Sequence, residues 1–373
     1  MKIAVLKETA EGERRLAATP ETVKKYIALG ATVAVEAGAG LSASIGNEDF
    51  AASGASIAGR AEALEGADAV LAVQGPEPET LGGAKAGALI VAMLDPFRRR
   101  DRVEAYAAGG FEALAMELMP RITRAQSMDV LSSQSNLAGY KAVLDAAAEY
   151  GRAFPMMMTA AGTIPAARVF VMGVGVAGLQ AIATARRLGA IVSATDVRPE
   201  TREQIESLGA KAVFAEGLEA AGAGGYAAEL SDEQKAKQAE LVSSHIAKQD
   251  VVITTALIPG RPAPRLISDA QLATMRPGSV VVDLAVEQGG NVEGAVVGEV
   301  AERHGVRIVG HRNVPSRLAA DASALYARNL YNFLSAFWDK EAGTVVLPDE
   351  DEIVRGVRLT RGGEIVNERL RQG

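Results

Sequence analysis

Short apolar runs alternate with amphipathic segments along most of the chain. The segment TPETVKKYIALG (19–30) predicts a helix that Thr19 caps and that carries Pro20 in its first turn. Apolar runs separated by helical segments are typical of parallel strands covered by helices, so the predicted fold class is α/β, with two Rossmann-like lobes on parallel sheets. The predicted strands are 2–8, 31–38, 67–74, 87–94 and 111–118 in the first lobe, and 168–173, 191–196, 211–216, 250–256, 279–285 and 307–311 in the second.

Two long helical patterns indicate where the lobes meet. Residues 132–151 predict a helix that crosses from the first lobe to the second, and residues 313–338 predict one that returns. The chain has 373 residues, which is more than one domain usually holds. We therefore expect a discontinuous first lobe and a continuous second one, with the bounds 1–131 plus 318–373, and 132–317.

Two further segments have a distinct pattern. The stretch around 216–232 is rich in glycine and then in charge, which predicts either disorder or a mobile lid. The tail 351–366 predicts a terminal hairpin that turns at Gly362-Gly363.

The sequence VFVMGVGVAGLQAIATARRLGAIVSATDVR (169–198) carries the clearest chemistry. Its glycines, Gly173, Gly175 and Gly178, follow a predicted strand and open a predicted helix, and Asp196 closes the next strand. Such a turn presents backbone N–H groups and a helix N-terminus to a pyrophosphate, and the carboxylate accepts hydrogen bonds from a ribose. A glycine turn that serves packing alone is the alternative, but the whole context favours a dinucleotide. Asp196 would repel a 2′-phosphate and so favours NAD(H), although Arg198 weakens that inference slightly.

Composition excludes several classes of protein and site. The net charge of −7 argues against a nucleic-acid partner, and the absence of cysteine excludes disulfides, thiolate metal sites and a cysteine nucleophile. No HExxH motif or ligand-spaced cluster predicts a metal site. The N-terminus does not have the pattern of a signal peptide, and no window offers about 20 unbroken apolar residues. We therefore expect a cytoplasmic protein without direct membrane insertion.

A second polar cluster lies in MELMPRITRAQSMDVLSSQSNLAGY (116–140). Arg121, Gln126, Asp129 and Ser132 occur there where the first lobe leads into the crossing helix. A capped helix start with solvated charges would explain any one of them. As a group they suggest a ligand contact, because ligands in such folds lie beyond the carboxyl ends of the strands, here in the cleft between the lobes.

Several long stretches resemble one family closely. RITRAQSMDVLSSQSNLAGY, AFPMMMTAAGTIPAARVFVMGVGVAGLQAIATARRLGA, TTALIPGRPAP, VDLAVEQGGN and HRNVPSR are similar to the soluble NAD(H)-binding component (domain I) of proton-translocating NAD(P) transhydrogenases. The resemblance covers essentially the whole chain. It implies a homodimer that works with an NADP(H)-binding domain III and a membrane domain II on separate chains. Such a protein would lie on the cytoplasmic side, peripheral to the inner membrane through its partners.

The resemblance also implies roles for individual residues. It places Arg121, Gln126, Asp129 and Ser132 around the nicotinamide and its ribose, with Gln126 as the candidate for contact with the partner's nucleotide. The other assignments are Val176 against the pyrophosphate, Asp196, Val197 and Arg198 at the adenosine ribose, Gly225 and Tyr226 in a closing loop, and Ala256 and Leu257 beside the adenine. The family usually has Met where this chain has Leu230.

Two alternatives remain open from the sequence. Alanine dehydrogenase shares the pattern KETAEGERRLAATP with Arg15, but it needs a lysine and a histidine where this chain has Gln74 and apolar residues around Met93. Alcohol or amine oxidation requires such a proton-handling group, whereas hydride exchange between two nicotinamides requires only positioning. The second alternative is a non-catalytic module that senses NAD(H).

Overall fold

The computed structural model describes residues 1–214, 231–258 and 260–371. The chain forms two units, the first from Met1–Gln134 and Ser316–Gly373, the second from Ser135–Pro315. The sequence predicts the boundaries of the two lobes between residues 131 and 132 and between residues 317 and 318.

A six-stranded parallel sheet forms the centre of the first unit. Its strand order is β3-β2-β1-β4-β5-β6, which is the doubly wound order of dinucleotide-binding folds. The elements are β1 (Lys2–Val5), α1 (Pro20–Ala28), β2 (Thr32–Glu36), α2 (Asn47–Ala52), β3 (Ser56–Ala58), α3 (Arg60–Leu64), β4 (Ala69–Gln74), β5 (Leu89–Met93), α4 (Arg100–Ala108) and β6 (Glu112–Ala115).

Local chemistry explains where these elements begin. The Thr19 hydroxyl accepts a hydrogen bond from the Thr22 backbone N–H, and Pro20 occupies the first helical position of α1, as predicted. Apart from Lys2 and Gln74 at their ends, the strands β1, β4 and β5 are apolar runs with almost no exposure, because helices cover both faces of the sheet. The α/β prediction is confirmed for this unit.

The second unit repeats this architecture around a seven-stranded sheet. The chain enters it through α5 (Val130–Glu149), and the strand order is β11-β10-β9-β12-β13-β15-β14. The further elements are β7 (Met157–Thr159), β8 (Gly162–Ile164), β9 (Arg168–Met172), α6 (Val176–Arg187), β10 (Ile191–Thr195), α7 (Thr201–Ser207), β11 (Lys211–Ala212), α8 (Asp232–Ile246), β12 (Val251–Thr254), α9 (Asp269–Leu272), β13 (Val280–Asp283), β14 (Val300–Arg303) and β15 (Val306–Val309).

One edge of this sheet differs from the prediction. Strand β14 was not predicted, and it pairs antiparallel with β15 on a sheet that is otherwise parallel. Its side chains are mostly exposed, so it lacks the apolar run that marks a buried parallel strand. Of the predicted strand at 211–216, the structure describes Lys211–Ala212 as β11, and residues 215 and 216 lie outside the described residues.

The C-terminal segment completes the first unit. Helix α10 (Ala319–Ala336) buries Tyr326, Leu330 and Phe333 on one face, in the same core as β1 and β4. The remaining elements are β16 (Trp338–Asp339), β17 (Thr344–Val345), α11 (Glu352–Val357), β18 (Thr360–Arg361), β19 (Glu364–Ile365) and α12 (Glu368–Arg371). Within the described residues, no helix is both long enough and apolar enough to span a bilayer.

The prediction of one long hairpin at 351–366 is wrong in its first half. Asp351 accepts hydrogen bonds from the backbone N–H groups of Ile353 and Val354 and so starts the helix α11. The hairpin is limited to β18 and β19. Its turn is at Gly362-Gly363 as predicted, and both glycines have positive φ angles of 59° and 86°.

A buried carboxylate joins the carboxyl ends of β5 and β6. Glu117 Oε1 accepts hydrogen bonds from the backbone N–H groups of Leu94 (2.8 Å) and Asp95 (2.6 Å). The other carboxylate oxygen, Oε2, is buried without a hydrogen-bond partner among the described residues. Burial raises the pKa of Glu117 from 4.5 to about 7, although the backbone hydrogen bonds oppose this shift.

We expect Glu117→Gln to remove part of the pH dependence of stability. The folded protein holds this proton up to about pH 7 whereas the unfolded chain releases it near 4.5, so the free energy of unfolding decreases as the pH rises between these values. This decrease in the free energy of unfolding amounts to roughly 2 kcal/mol. Denaturant unfolding at pH 5 and pH 8 measures it. The free energy of unfolding of Glu117→Gln, relative to that of the wild type, should be greater at pH 8 than at pH 5. Parallel pH profiles of stability for the two proteins would contradict the assignment.

Candidate functional site

The glycine turn between β9 and α6 is built by close backbone contacts. Gly173 has a φ of +96°, and a Cβ there would lie 2.6 Å from the Thr255 hydroxyl oxygen. A Cβ on Gly178 would overlap the carbonyl oxygen of Gly173, well inside the 3.0 Å that real Cβ contacts respect. Both positions therefore require glycine because of the protein's own packing, which lets α6 start directly against the end of β9.

Gly175 has no such internal reason to be glycine. It is the exposed N-cap residue of α6, its φ of −82° suits any residue, and a Cβ there would have open space around it. Val176, the first helical residue, is 39% exposed. The middle of the turn therefore presents backbone N–H groups and a helix N-terminus toward open space, which is the arrangement that fits a pyrophosphate.

Asp196 ties the end of β10 to this turn. Its Oδ2 accepts a hydrogen bond from the Val174 backbone N–H at 2.7 Å, and its Oδ1 accepts one from the Arg198 backbone N–H at 2.9 Å. Burial would raise the pKa of Asp196, but hydrogen bonds from Arg198 and Val174 outweigh burial and lower it. A charged carboxylate thus lies beside the glycine turn, as the fingerprint predicts. Val197 beside it is half-buried.

The loop after β12 lies against the same turn. The Thr255 hydroxyl donates to the Gly173 carbonyl oxygen at 3.0 Å. Buried Asn291 holds Ala256 at both ends: its side-chain oxygen accepts from the Ala256 N–H at 3.1 Å, and its side-chain amide donates to the Ala256 carbonyl oxygen at 2.9 Å. Leu257 follows with 41% exposure. The second unit therefore brings together the glycine turn, Asp196 to Arg198 and Ala256.

Two residues of this arrangement were missed by the sequence analysis. Asn291 anchors a loop 35 positions earlier in the chain, and Asp283 at the end of β13 accepts from the backbone N–H groups of Ala285 and Val292. Burial raises the pKa of Asp283. The stretch VDLAVEQGGN contains both residues, but nothing in its spacing indicates what they contact.

The four polar residues of the first unit lie before α5 or in its first turn. Asp129 precedes α5 and caps it: Oδ1 accepts from the Ser132 N–H at 2.9 Å and Oδ2 accepts from the Ser132 hydroxyl at 2.5 Å. Arg121 and Gln126 are exposed, and Gln126 lies in the short 3₁₀ helix Thr123–Met128. The capped helix start predicted as the simpler explanation is therefore present for one pair.

Some residues assigned by the resemblance cannot be placed. Gly225, Tyr226 and Leu230, together with most of the expected lid at 216–232, lie outside the described residues. Within the described ranges, no group of three or more His, Asp and Glu side chains stands together as a metal site would require.

Arg15 and Gln74 of the first unit are engaged internally. The buried Arg15 guanidinium donates to both carboxylate oxygens of Glu13, at 2.8 and 2.6 Å, and to the Gln134 side-chain oxygen at 2.9 Å. The Gln74 side-chain amide donates to Glu13 Oε2 at 2.9 Å. These contacts neutralise Arg15 within the fold.

Comparison with known proteins agrees with this geometry. The N-terminal domain model of "Alanine dehydrogenase/PNT" matches residues 4–138, and the C-terminal domain model matches residues 142–368. The chain is 55% identical to a protein of Rhodospirillum rubrum that is named as the first part of NAD(P) transhydrogenase subunit alpha, over 99% of both chains.

Solved structures give the same result. The transhydrogenase of Sinorhizobium meliloti superimposes with a TM-score of 0.90 at 55% identity, covering 98% of this chain and 100% of that one. An L-alanine dehydrogenase superimposes with a TM-score of 0.81 at 26% identity, covering 100% and 98%. The resemblance predicted from the sequence is thus confirmed.

The turn makes a matched pair of alanine substitutions informative. We expect Gly178→Ala to lower the free energy of unfolding by about 1–3 kcal/mol, because the added methyl overlaps the Gly173 carbonyl. Gly175→Ala should change it by less than about 1 kcal/mol, since the methyl enters open space. Denaturant unfolding measures both, and equal losses for the two variants would contradict the geometry.

Proposed function

The chain belongs to the alanine dehydrogenase/PNT family, and we propose that it is the NAD(H)-binding component of a proton-translocating transhydrogenase. In this function it passes hydride between NAD(H) and NADP(H) held on a partner domain. The observation that carries the proposal is the glycine turn of the second unit. Packing within the protein does not require its middle residue, Gly175, to be glycine, and a Cβ there would face open space.

The residues around the turn fit an NAD(H) molecule in charge and shape. The free N–H groups at the start of α6 suit a pyrophosphate, with Val176 beside it, and the Asp196 carboxylate suits a ribose diol. Ala256, fixed by Asn291, and exposed Leu257 offer backbone and apolar surface for an adenine. The proposed nucleotide-binding residues are Gly173, Gly175, Val176, Gly178, Asp196, Val197, Arg198, Ala256 and Leu257, with Gly225 and Tyr226 of the expected lid.

The polar residues of the first unit suit positioning rather than proton transfer. We assign Arg121, Gln126, Asp129 and Ser132 to the nicotinamide and its ribose, on the strength of the resemblance. Hydride exchange between two nicotinamides moves no proton, so the groups around it need only hold the rings at about 3–3.5 Å. The rigid Asp129–Ser132 pair offers fixed acceptors, and the neutral amide of exposed Gln126 is suited to meet a partner's nucleotide.

The partners follow from the same assignment. The name of the relative in Rhodospirillum rubrum marks it as one portion of a subunit alpha, which implies further subunits. For this chain we propose an NADP(H)-binding domain III and a membrane domain II on separate chains. Through them it would lie at the cytoplasmic side of the inner membrane.

A second copy of the chain is the further proposed partner. The hairpin of β7 and β8 carries apolar side chains on both faces, and Met156, Met158 and Ile164 are 61%, 78% and 37% exposed. A two-stranded hairpin is marginally stable by itself and needs apolar cover. A homodimer in which this hairpin packs against the other copy would supply that cover.

Alanine dehydrogenase activity is the rival that the first unit disfavours. The Arg15 guanidinium is hydrogen-bonded to Glu13 and Gln134, and the neutral amide of Gln74 provides neither a cation nor an acid/base group. A 2-oxo acid would therefore have to displace a buried ion pair in order to bind there.

We expect hydride exchange that needs two proteins. NADH and an acetylpyridine analogue of NAD⁺ are mixed with this chain and a domain III loaded with NADP(H), and reduction of the analogue is followed by absorbance. Rapid reduction should require both proteins and NADP(H), because the chain itself holds only one of the two nucleotides. Gln126→Asn should slow the exchange by about 10- to 100-fold while changing the NADH dissociation constant less than about threefold.

Three outcomes separate the rivals. Tight NADH binding without exchange would contradict the transhydrogenase assignment and favour the sensing module. Alanine-dependent formation of NADH by the chain alone would establish the alanine dehydrogenase alternative. Exchange by this chain without domain III would contradict the division of nucleotides between the two proteins.

We expect Met158→Lys to weaken the homodimer at least tenfold, because it places a charge on the apolar hairpin. Leu41→Lys is the matched control, since Leu41 is 65% exposed and lies outside the hairpin. Analytical ultracentrifugation over a range of concentrations gives both dissociation constants. Equal effects of the two variants, or a monomeric wild-type protein, would contradict the proposed interface.

A further inference from the structure

The side chain of Asn291 joins the two ends of the loop that follows β12. Asn291 is fully buried, and its side-chain oxygen accepts a hydrogen bond from the Ala256 N–H at 3.1 Å. Its side-chain amide donates to the Ala256 carbonyl oxygen at 2.9 Å and to the Pro264 carbonyl oxygen at 2.8 Å. An asparagine amide has two N–H donors, so each of them binds one end of the loop.

Backbone hydrogen bonds strengthen this connection. The Asn291 carbonyl oxygen accepts from the N–H groups of Leu266 and Ile267, at 2.8 and 3.0 Å. The Gln288 carbonyl oxygen accepts from the Ala263 N–H at 2.7 Å. The returning half of the loop is therefore attached to the segment after β13 by its backbone as well as by the Asn291 side chain.

Two glycines and a buried carboxylate set the position of Asn291 itself. Gly289 and Gly290 have positive φ angles of 96° and 75°, and a Cβ on Gly290 would lie 2.9 Å from Asp283 Oδ2. The same carboxylate oxygen accepts a hydrogen bond from the Val292 N–H at 3.0 Å. Glycine thus allows the chain to turn closely over the carboxylate, and this turn brings Asn291 within reach of the loop after β12.

The loop carries an apolar side chain that the proposed function assigns to the adenine. Leu257 follows the anchored Ala256 directly and is 41% exposed, and its neighbour Ile258 is 43% exposed. On a loop without an anchor, such side chains would have to be ordered when a base binds, which lowers the affinity. Hydrogen bonds at both ends of the loop remove this cost before the nucleotide arrives.

We propose that Asn291 is a positioning residue for the adenine: by joining both ends of the loop after β12, it keeps Leu257 in the position that binds the base. Because Asn291 is fully buried, it acts through the loop rather than by contact with the nucleotide. The inference rests on the proposed function, since it concerns the adenosine half of the nucleotide that binds at the glycine turn.

Asn291→Ala should weaken the binding of NADH by about 5- to 20-fold, because the loop must then be ordered when the base binds. Equilibrium binding to the full chain, without any partner, is followed by NADH fluorescence. ADP, which has the adenosine but no nicotinamide, is measured by competition with NADH. Its affinity should decrease by the same factor. A loss of NADH affinity without a loss of ADP affinity would assign the effect to the nicotinamide half and overturn the proposal.

Asn367→Ala is the matched control for the loss of a buried asparagine. Asn367 is also buried, and its side-chain amide donates to the Arg358 carbonyl oxygen at 3.0 Å, in the C-terminal segment of the first unit. Its loss should lower the free energy of unfolding but change the NADH dissociation constant by less than about twofold. Equal weakening of NADH binding by Asn367→Ala and Asn291→Ala would show a general effect of lost stability and overturn the proposal.

A double variant tests whether Asn291 acts through Leu257. Leu257→Ala alone should weaken NADH binding about 3- to 10-fold, since it removes apolar contact with the base. In the Asn291→Ala background the same substitution should cost less than about twofold, because the loop no longer holds that side chain in position. Full additivity of the two losses would show that the residues act independently, which contradicts the proposed role.

The remaining outcomes separate the inference from the proposed function. If the wild type binds no NADH, the proposed function fails. If it binds NADH and folded Asn291→Ala binds NADH equally well, only the inference fails. Thermal unfolding checks that Asn291→Ala is folded. Should it not be, Asn291→Ser is measured in its place. Its hydroxyl keeps one hydrogen bond to the loop, so the affinities for NADH and ADP should decrease together but less, and unchanged affinities would overturn the proposal.

Discussion

The close approach of the Gly178 backbone to the Gly173 carbonyl is the constraint on which the candidate site depends. With no side chain at residue 178, α6 starts directly against the end of β9, and its first N–H groups stay clear of the chain's own side chains. The approach also brings Val174 within reach of Asp196 and Gly173 within reach of Thr255. The end of β10 and the loop after β12 thus both contact the glycine turn. A displacement of α6 would break the contacts between these three segments.

Much of this could be predicted from the sequence because its determinants are local. The tight turn, the close packing and the acidic residue each depend on residue type at a fixed spacing, and the positive φ of Gly173 follows from the same pattern. Helix α1 was predicted with its cap for this reason, since Thr19 and Thr22 bond each other directly. The same local signal was present for α11, where Asp351 precedes a run of apolar residues, but two glycines just beyond it favoured a hairpin over the whole segment.

Other features depend on partners that are distant in the chain. Asn291 clamps Ala256 across 35 positions, and Arg15 meets Gln134 across 119. An isolated asparagine or arginine in the sequence contains no information about which backbone it will contact. The pKa of Glu117 has the same origin, because it results from burial by β5 and β6 rather than from any neighbour along the chain. The fold class and the glycine turn are therefore accessible from sequence, whereas the residues that stabilise the surrounding loops are not.

The two sheets have the same doubly wound order up to the fifth strand, but the point where the order reverses is built differently in each. In the second unit, between β9 and β12, that point holds the glycine turn and its free N–H groups. In the first unit, between β1 and β4, Glu8 accepts hydrogen bonds from the backbone N–H groups of Val73 and Gln74, at 2.6 and 3.2 Å. Burial raises the pKa of Glu8 to about 7, although these two backbone hydrogen bonds oppose the shift. The first sheet thus satisfies these two N–H groups at the end of β4 with a carboxylate of its own. The same strand order thus has a glycine turn at the reversal point of one unit and a buried carboxylate at that of the other.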